Sequence, residues 1–190
     1  MGLLKKIDFL SEKILWKKNE KKFNKIEKGY YFGYNFHVNN PKYVSIGKNF
    51  RAGENVKIDV WPFYSGKDTG YNPNVIIGDD VVITDNSYIS CLNEIHIGDG
   101  VLIGPNTFIT DNFHGDSRKL EANVKPIDRK LYTKGSVVIG DNVWIGRNVC
   151  IMPNVIIGKG SIIGANSVVT HDVKENSIMV GCPARNINKV

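Results

Sequence analysis

Four histidines and three cysteines are the side chains in this sequence most able to move protons, hold metals or act as nucleophiles. Their spacing removes most options. Cys91, Cys150 and Cys182 form an odd set without a CxxC pair, which fits neither a disulfide framework nor a cysteine zinc site. Reduced thiols in the cytoplasm are the expectation. His96 and His114 are eighteen residues apart, but no HxxxxH pair accompanies them and a three-histidine zinc centre lacks its ligands. No metal is expected. His37, His96 and His171 read as structural. His114 differs because it stands immediately before residues 115–138, a long segment that breaks the pattern around it. Long irregular insertions on a regular scaffold usually carry function. A histidine there suits a general base, since imidazole changes charge near neutral pH and can take a proton from a weakly acidic hydroxyl.

The pattern that must position His114 is a repeat of six. Aliphatic residues recur at Ile46, Ala52 and Ile58; at Ile77, Ile83 and Ile89; at Ile97, Ile103 and Ile109; and at Ile139, Ile145, Ile151, Ile157, Ile163 and Val169. Four positions later comes a second small or apolar residue in most cases, among them Val56, Val81, Val101, Thr107, Val143, Ser161 and Ser167. Glycine often follows the aliphatic position, with Asp or Asn close behind. Period six is neither the 3.6 of a helix nor a plain alternation of two. Each hexapeptide is a short strand plus a turn, with the aliphatic residue inward and Gly, Asn or Asp supplying the turn angles. Three strands close a triangular coil of eighteen residues, and coils stack in parallel at roughly 4.8 Å. The fold class is all-β, a parallel β-helix.

The repeat predicts a β-helix over residues 29–174, with loops at 59–75 and 115–138 and a closing loop at 175–190. A slip of two residues between Ile89 and Ile97 predicts a bulge. Residues 1–28 place Leu3, Leu4, Ile7, Leu10 and Ile14 at helical spacing among lysines, which predicts an N-terminal amphipathic α-helix without a signal-peptide cleavage site. That segment carries nine lysines against four acidic residues, so most of the net charge of +6 sits there and the body is nearly neutral. A basic nucleic-acid-binding face is not supported. The helix is expected to cap the end of the β-helix, with at most weak contact between residues 1–28 and an anionic membrane surface. No stretch approaches the ~18 consecutive apolar residues of a membrane span.

The run IGPNTFITDNFHG, the interruption, then KGSVVIGDNVWIGRNVCIMPNVIIGKGSIIGANSVVTHDV and NSIMVGCPAR resemble the bacterial hexapeptide-repeat sugar O-acetyltransferases. Galactoside and maltose acetyltransferases and polysaccharide-modifying relatives belong to that group, and the resemblance covers roughly residues 77–186. It implies a left-handed winding, an acetyl-CoA co-substrate, a sugar or glycan acceptor, and active sites between adjacent subunits of a homotrimer.

The resemblance also assigns residues. His114 falls on the family's catalytic histidine, and the backbone amide at Arg147 on its oxyanion donor. An acceptor-positioning asparagine maps near Thr84, where Asn86 is the nearest chemical equivalent and equally a turn former. Asp111 or Asp116 could orient the imidazole, although acidic residues at turns are more often turn formers. For CoA, Trp144, Gly164, Ala165, Thr170 and Arg185 match family positions. The family's second arginine is Asn188 here, leaving Lys189 or Lys159 as substitutes. Arg185 beside a proline-fixed loop suits the 3′-phosphate.

The function expected is acetyl-CoA-dependent O-acetylation of a sugar, in the cytoplasm or at the inner face of the membrane, for cell-surface polysaccharide. The alternatives are N-acetylation of a nucleotide-linked amino sugar, whose amine needs less help from a base, and a non-catalytic trimeric scaffold.

Overall fold

The hexapeptide period becomes three parallel sheets wound around one aliphatic core. The computed structural model describes residues 20–116 and 123–188. The first face stacks Lys25–Ile26, Val44–Ile46, Asn74–Ile77, Glu94–Ile97, Val137–Ile139 and Val155–Ile157. The second stacks Tyr31–Phe32, Arg51–Ala52, Val82–Ile83, Leu102–Ile103, Trp144–Ile145, Ile162–Ile163 and Ile178–Val180. The third stacks His37–Asn39, Lys57–Val60, Tyr88–Cys91, Phe108–Thr110, Cys150–Ile151 and Val168–Val169.

Register follows the repeat: Ile46 pairs with Ile77, Ile77 with Ile97, Ile97 with Ile139 and Ile139 with Ile157. All fifteen aliphatic positions of the repeat are buried. Each such side chain withdrawn from water stabilises the fold by about 1.5–3 kcal/mol where it is Ile or Val. Polar members of the second position are buried too, and each finds a partner: Thr107 Oγ1 donates to Gly104 O at 2.8 Å, and Ser161 Oγ to Lys174 O at 2.9 Å.

The corners explain the Asn and Gly of the pattern. Asn35, Asn55, Asn86, Asn106, Asn148 and Asn166 all have φ between 56 and 60°, a left-handed conformation that asparagine tolerates. Their side chains form ladders between coils, Asn55 Nδ2 to Asn86 Oδ1 at 3.1 Å and Asn148 Nδ2 to Asn166 Oδ1 at 2.9 Å. Gly104 is required by close approach, since a Cβ there would lie 2.6 Å from the Gly146 carbonyl carbon of the next coil.

The boundaries differ from the expectations in four places. An additional first coil exists, with Ile26, Phe32 and Val38 in register with Ile46, Ala52 and Ile58. Residues 20–28 are therefore a 3₁₀ turn at Glu20–Lys22 and a strand rather than the end of an α-helix. Aromatic side chains pack together in this first coil, with Phe32 stacked on Phe36 at 4.2 Å between centroids and Phe50 and Phe23 beside them. The helix expected before residue 20 lies outside the described residues. The insertions begin after Val60 and Thr110, and the strands resume at Asn74 and Val137. The C-terminal segment is not only a loop: Ile178–Val180 extends the second face and Arg185–Asn186 turns back antiparallel to it. No helix among the described residues is long and apolar enough to cross a membrane.

Both insertions leave at the same corner, between the third face and the first. That coincidence builds the site.

Candidate active site

The first insertion folds into a hairpin, Phe63–Tyr64 against Lys67–Asp68. Thr69 pins its base, with its hydroxyl 2.9 Å from both Trp61 O and Pro62 O. The second insertion opens as an antiparallel ribbon in which Phe113 pairs with Tyr132 and His114 with Leu131. His114 is thus held on a strand, not on a free turn.

Between the two insertions lies a cavity of about 310 Å³. Trp61 and Tyr64 come from the first insertion, Phe113, His114 and Leu131 from the second, and Tyr88, Phe108 and Met152 from the third-face strands or just beyond them. Ser90, Thr110 and Asn112 add polar groups. Tyr88 and Phe108 stack at 5.4 Å between ring centroids. Trp61 Nε1 donates to Ser90 Oγ at 3.0 Å, and Asn112 Nδ2 to Ser90 O at 2.9 Å, so the polar side of the cavity is internally braced. Beneath Tyr88, the carboxylate of buried Asp59 accepts from the Tyr88 hydroxyl at 2.9 Å and pairs with Lys57 at 2.8 Å. Desolvation, reinforced by the Asp59 charge, pushes the Tyr88 phenol up to about 12, so it stays a neutral donor.

His114 meets Tyr64. The hydroxyl of Tyr64 is 3.2 Å from His114 Nδ1 and 3.1 Å from the carbonyl oxygen of Ile127, and the rings meet edge-on at 5.5 Å. The sequence carried Tyr64 only as an aromatic in a loop, fifty residues from His114.

Asp111 does not orient the imidazole. It is fully buried and accepts backbone N–H groups from Leu92 at 2.7 Å, Asn93 at 2.7 Å and Glu94 at 2.8 Å, with Asn112 Nδ2 at 3.1 Å. Its carboxylate satisfies the turn made by the two-residue slip, where three adjacent donors would otherwise be orphaned. Burial still leaves its carboxyl above the ordinary range, because desolvation outweighs those hydrogen bonds. Burial, followed by this nearby carboxylate, pushes the Cys91 thiol well up, which leaves it an inert core residue. Asp116 lies at the edge of the second insertion's described residues.

The remaining sequence-derived residues fall into two groups. Asn86, Arg147, Gly164 and Ala165 occupy the corner between the second and third faces, with Trp144 52 % exposed on the second face. His114 and Thr170 follow the third face, at the opposite end of its strands. One chain does not bring the two groups together. Asn86 is also a member of the asparagine ladder, accepting from Asn55. Thr170 Oγ1 lies 2.9 Å from His171 Nδ1. Arg185 is exposed, donates to Ala184 O at 3.1 Å and forms no ion pair among the described residues, whereas Lys159 faces Glu175 at 3.8 Å. Lys189 lies outside the described residues. No group of three His, Cys, Asp or Glu side chains with metal-binding geometry occurs among them.

Sequence and structure comparisons agree with this architecture. Residues 136–171 match the family described as bacterial transferase hexapeptide (six repeats), and residues 74–111 the hexapeptide repeat of succinyl-transferase. The chain is 32 % identical over 157 residues to WbbJ of Escherichia coli K12, named as a lipopolysaccharide biosynthesis O-acetyl transferase, covering 80 % of this chain and 75 % of that protein. It is 35 % identical over 158 residues to galactoside O-acetyltransferase of the same organism, covering 83 % of this chain and 63 % of that protein. Among solved structures, AntD, an N-acyltransferase from Bacillus cereus, superposes with a TM-score of 0.74 at 24 % identity, over 91 % of this chain and 87 % of that one. This likeness is one of fold. A hexapeptide-repeat acetyltransferase of Vibrio cholerae, solved with acetyl coenzyme A, superposes with a TM-score of 0.54 at 28 % identity, over 93 % and 76 % of the two chains. A buried six-residue repeat over all three faces and identity above 30 % along four-fifths of its length together mean that the chain belongs to the bacterial hexapeptide-repeat acyltransferases.

Proposed function

We propose that this acyltransferase moves the acetyl group of acetyl-CoA to a hydroxyl of a sugar unit of a surface polysaccharide or its precursor, with His114 as general base. The observation that carries the reading is His114 on a braced ribbon in an aromatic-lined cavity, which offers ring faces for the apolar side of a sugar and one proton acceptor. The two curated relatives, both named for O-acetyl transfer, support O- over N-acetylation. An amine acceptor would need the base less.

The acceptor hydroxyl attacks the thioester carbonyl while His114 takes its proton. The oxyanion is held by backbone N–H, for which the amide at Arg147 is the family-matched donor. Collapse breaks the C–S bond, and the imidazolium returns its proton to the departing thiolate. No acyl-enzyme forms.

Because His114 and Arg147 sit at different corners of one chain, this chemistry calls for sites shared between copies, in a homotrimer. An exposed apolar stripe on the second face, Leu102, Trp144 and Ile178 in register through Ile162, suits such a contact. In that arrangement Trp144, Gly164, Ala165 and Thr170 border the pantetheine arm. Arg185, which forms no ion pair among the described residues, meets the 3′-phosphate, with Lys159 or Lys189 as a second cation. Three unpaired cysteines fit a cytoplasmic location.

The test is release of CoA thiol from acetyl-CoA across a panel of free sugars, oligosaccharides and nucleotide-linked amino sugars. Turnover confined to hydroxyl acceptors is expected. Turnover confined to amino sugars would overturn the O-acetyl assignment.

A further inference from the structure

A histidine can act as a base only through a nitrogen that carries no proton, so the tautomer of His114 matters as much as its position. The tautomer is written in the contacts of Tyr64. Its hydroxyl owns one proton and has two neighbours, Ile127 O at 3.1 Å and His114 Nδ1 at 3.2 Å. A carbonyl oxygen can only accept, so the proton of Tyr64 goes to Ile127. The phenol oxygen then faces Nδ1 with lone pairs alone, and Nδ1 must be the donor. A neutral imidazole protonated at Nδ1 has its free lone pair on Nε2, the nitrogen not engaged by Tyr64.

We propose that Tyr64 is a positioning residue for acyl transfer: by donating to the Ile127 carbonyl it holds His114 as the Nδ1–H tautomer and keeps Nε2 available as the base. This inference rests on the reading of His114 as the base. It matters because a neutral histidine side chain in water favours the opposite tautomer, with the proton on Nε2, which could not accept one from the acceptor. Throughout the reaction Nδ1–H continues to donate to Tyr64, and the transferred proton enters and leaves at Nε2. Nothing passes through the phenol.

The placement is built, not incidental. The edge of Trp61 meets Tyr64 at 6.0 Å and 83°, and the hairpin that carries both is fastened by Thr69. Ile127 belongs to the 3₁₀ turn Pro126–Asp128 of the second insertion. Tyr64 therefore ties the first insertion to the second at the point where His114 emerges.

The test is ¹⁵N NMR of histidine-labelled full-length protein, with the signals of His114 identified from their loss in His114→Gln. Wild type is expected to show a protonated Nδ1 and an unprotonated Nε2. Tyr64→Phe keeps the ring and its packing but removes the acceptor. It should shift His114 towards the Nε2–H tautomer and lower kcat on the order of tenfold, the lower end of what losing the partner that orients a metal-bound imidazole costs, with KM for acetyl-CoA unchanged. Circular dichroism checks that Tyr64→Phe is folded. A wild-type His114 protonated on Nε2, or a Tyr64→Phe protein with unchanged tautomer and turnover, would overturn the proposal. Full turnover in His114→Gln would overturn the base assignment, and the tautomer measurement distinguishes the two because it does not depend on turnover.

Discussion

Replacing Asp111 separates two roles that an acidic residue three positions before His114, the proposed base, could play. If it oriented the imidazole, Asp111→Asn would damage turnover and leave stability almost intact. The structure requires the reverse. Three backbone N–H groups, of buried Leu92 and half-buried Asn93 and Glu94, converge at 2.7 to 2.8 Å on the carboxylate of Asp111, which has no solvent exposure itself. Each buried donor left without an acceptor costs about 1–3 kcal/mol. Three of them set an upper range near 9 kcal/mol, reduced because water reaches the turn once the side chain is gone and because the desolvation of the charge is relieved. We expect Asp111→Ala to cost about 4 kcal/mol, and Asp111→Asn somewhat less, since the amide keeps one acceptor oxygen but sets an NH₂ against the same donors. For a chain of this length 4 kcal/mol lowers Tm by about 8–16 °C. Thermal melts at one fixed protein concentration measure this. Acetyl transfer at 25 °C by whatever fraction of Asp111→Asn remains folded should stay close to wild type per folded chain. Unchanged melting combined with a large loss of kcat would refute the reasoning and restore Asp111 to the imidazole.

His114→Ala should remain assembled and lose at least ~10²-fold in turnover, the contribution of a general base; turnover within threefold of wild type at saturating acceptor would count against it. Arg185→Ala should weaken CoA binding measured by calorimetry and abolish the preference for CoA over dephospho-CoA, whereas a wild type indifferent to the 3′-phosphate would move that contact elsewhere. Light scattering should give three chains per particle, and Trp144→Lys, which sets a charge on the exposed apolar stripe, should lower both the mass and the activity; a fully active monomer would contradict a shared site.

The period of six pointed to stacked coils of short strands and turns, because it matches neither a helix nor a plain alternation, and every one of its inward positions is buried. Ile26, Phe32 and Val38 carry the same period and could have shown the first coil; the surrounding lysines, continuing a helical pattern, concealed it. Both insertions were legible as departures from the repeat, and His114 as the residue at the edge of one. What the sequence could not supply was the consequence of their leaving at one corner. The repeat fixes each residue's neighbours one coil away, eighteen or so positions along, but the conformation of an insertion is set by what it packs against. Tyr64 and His114 meet across fifty residues only because the stacked coils bring the two departures together. Asp111 was decided in the same way. Its turn-former alternative was visible in its residue type, but the three N–H groups that claim it belong to the preceding coil, and a buried carboxylate goes to the donors that would otherwise be unpaired.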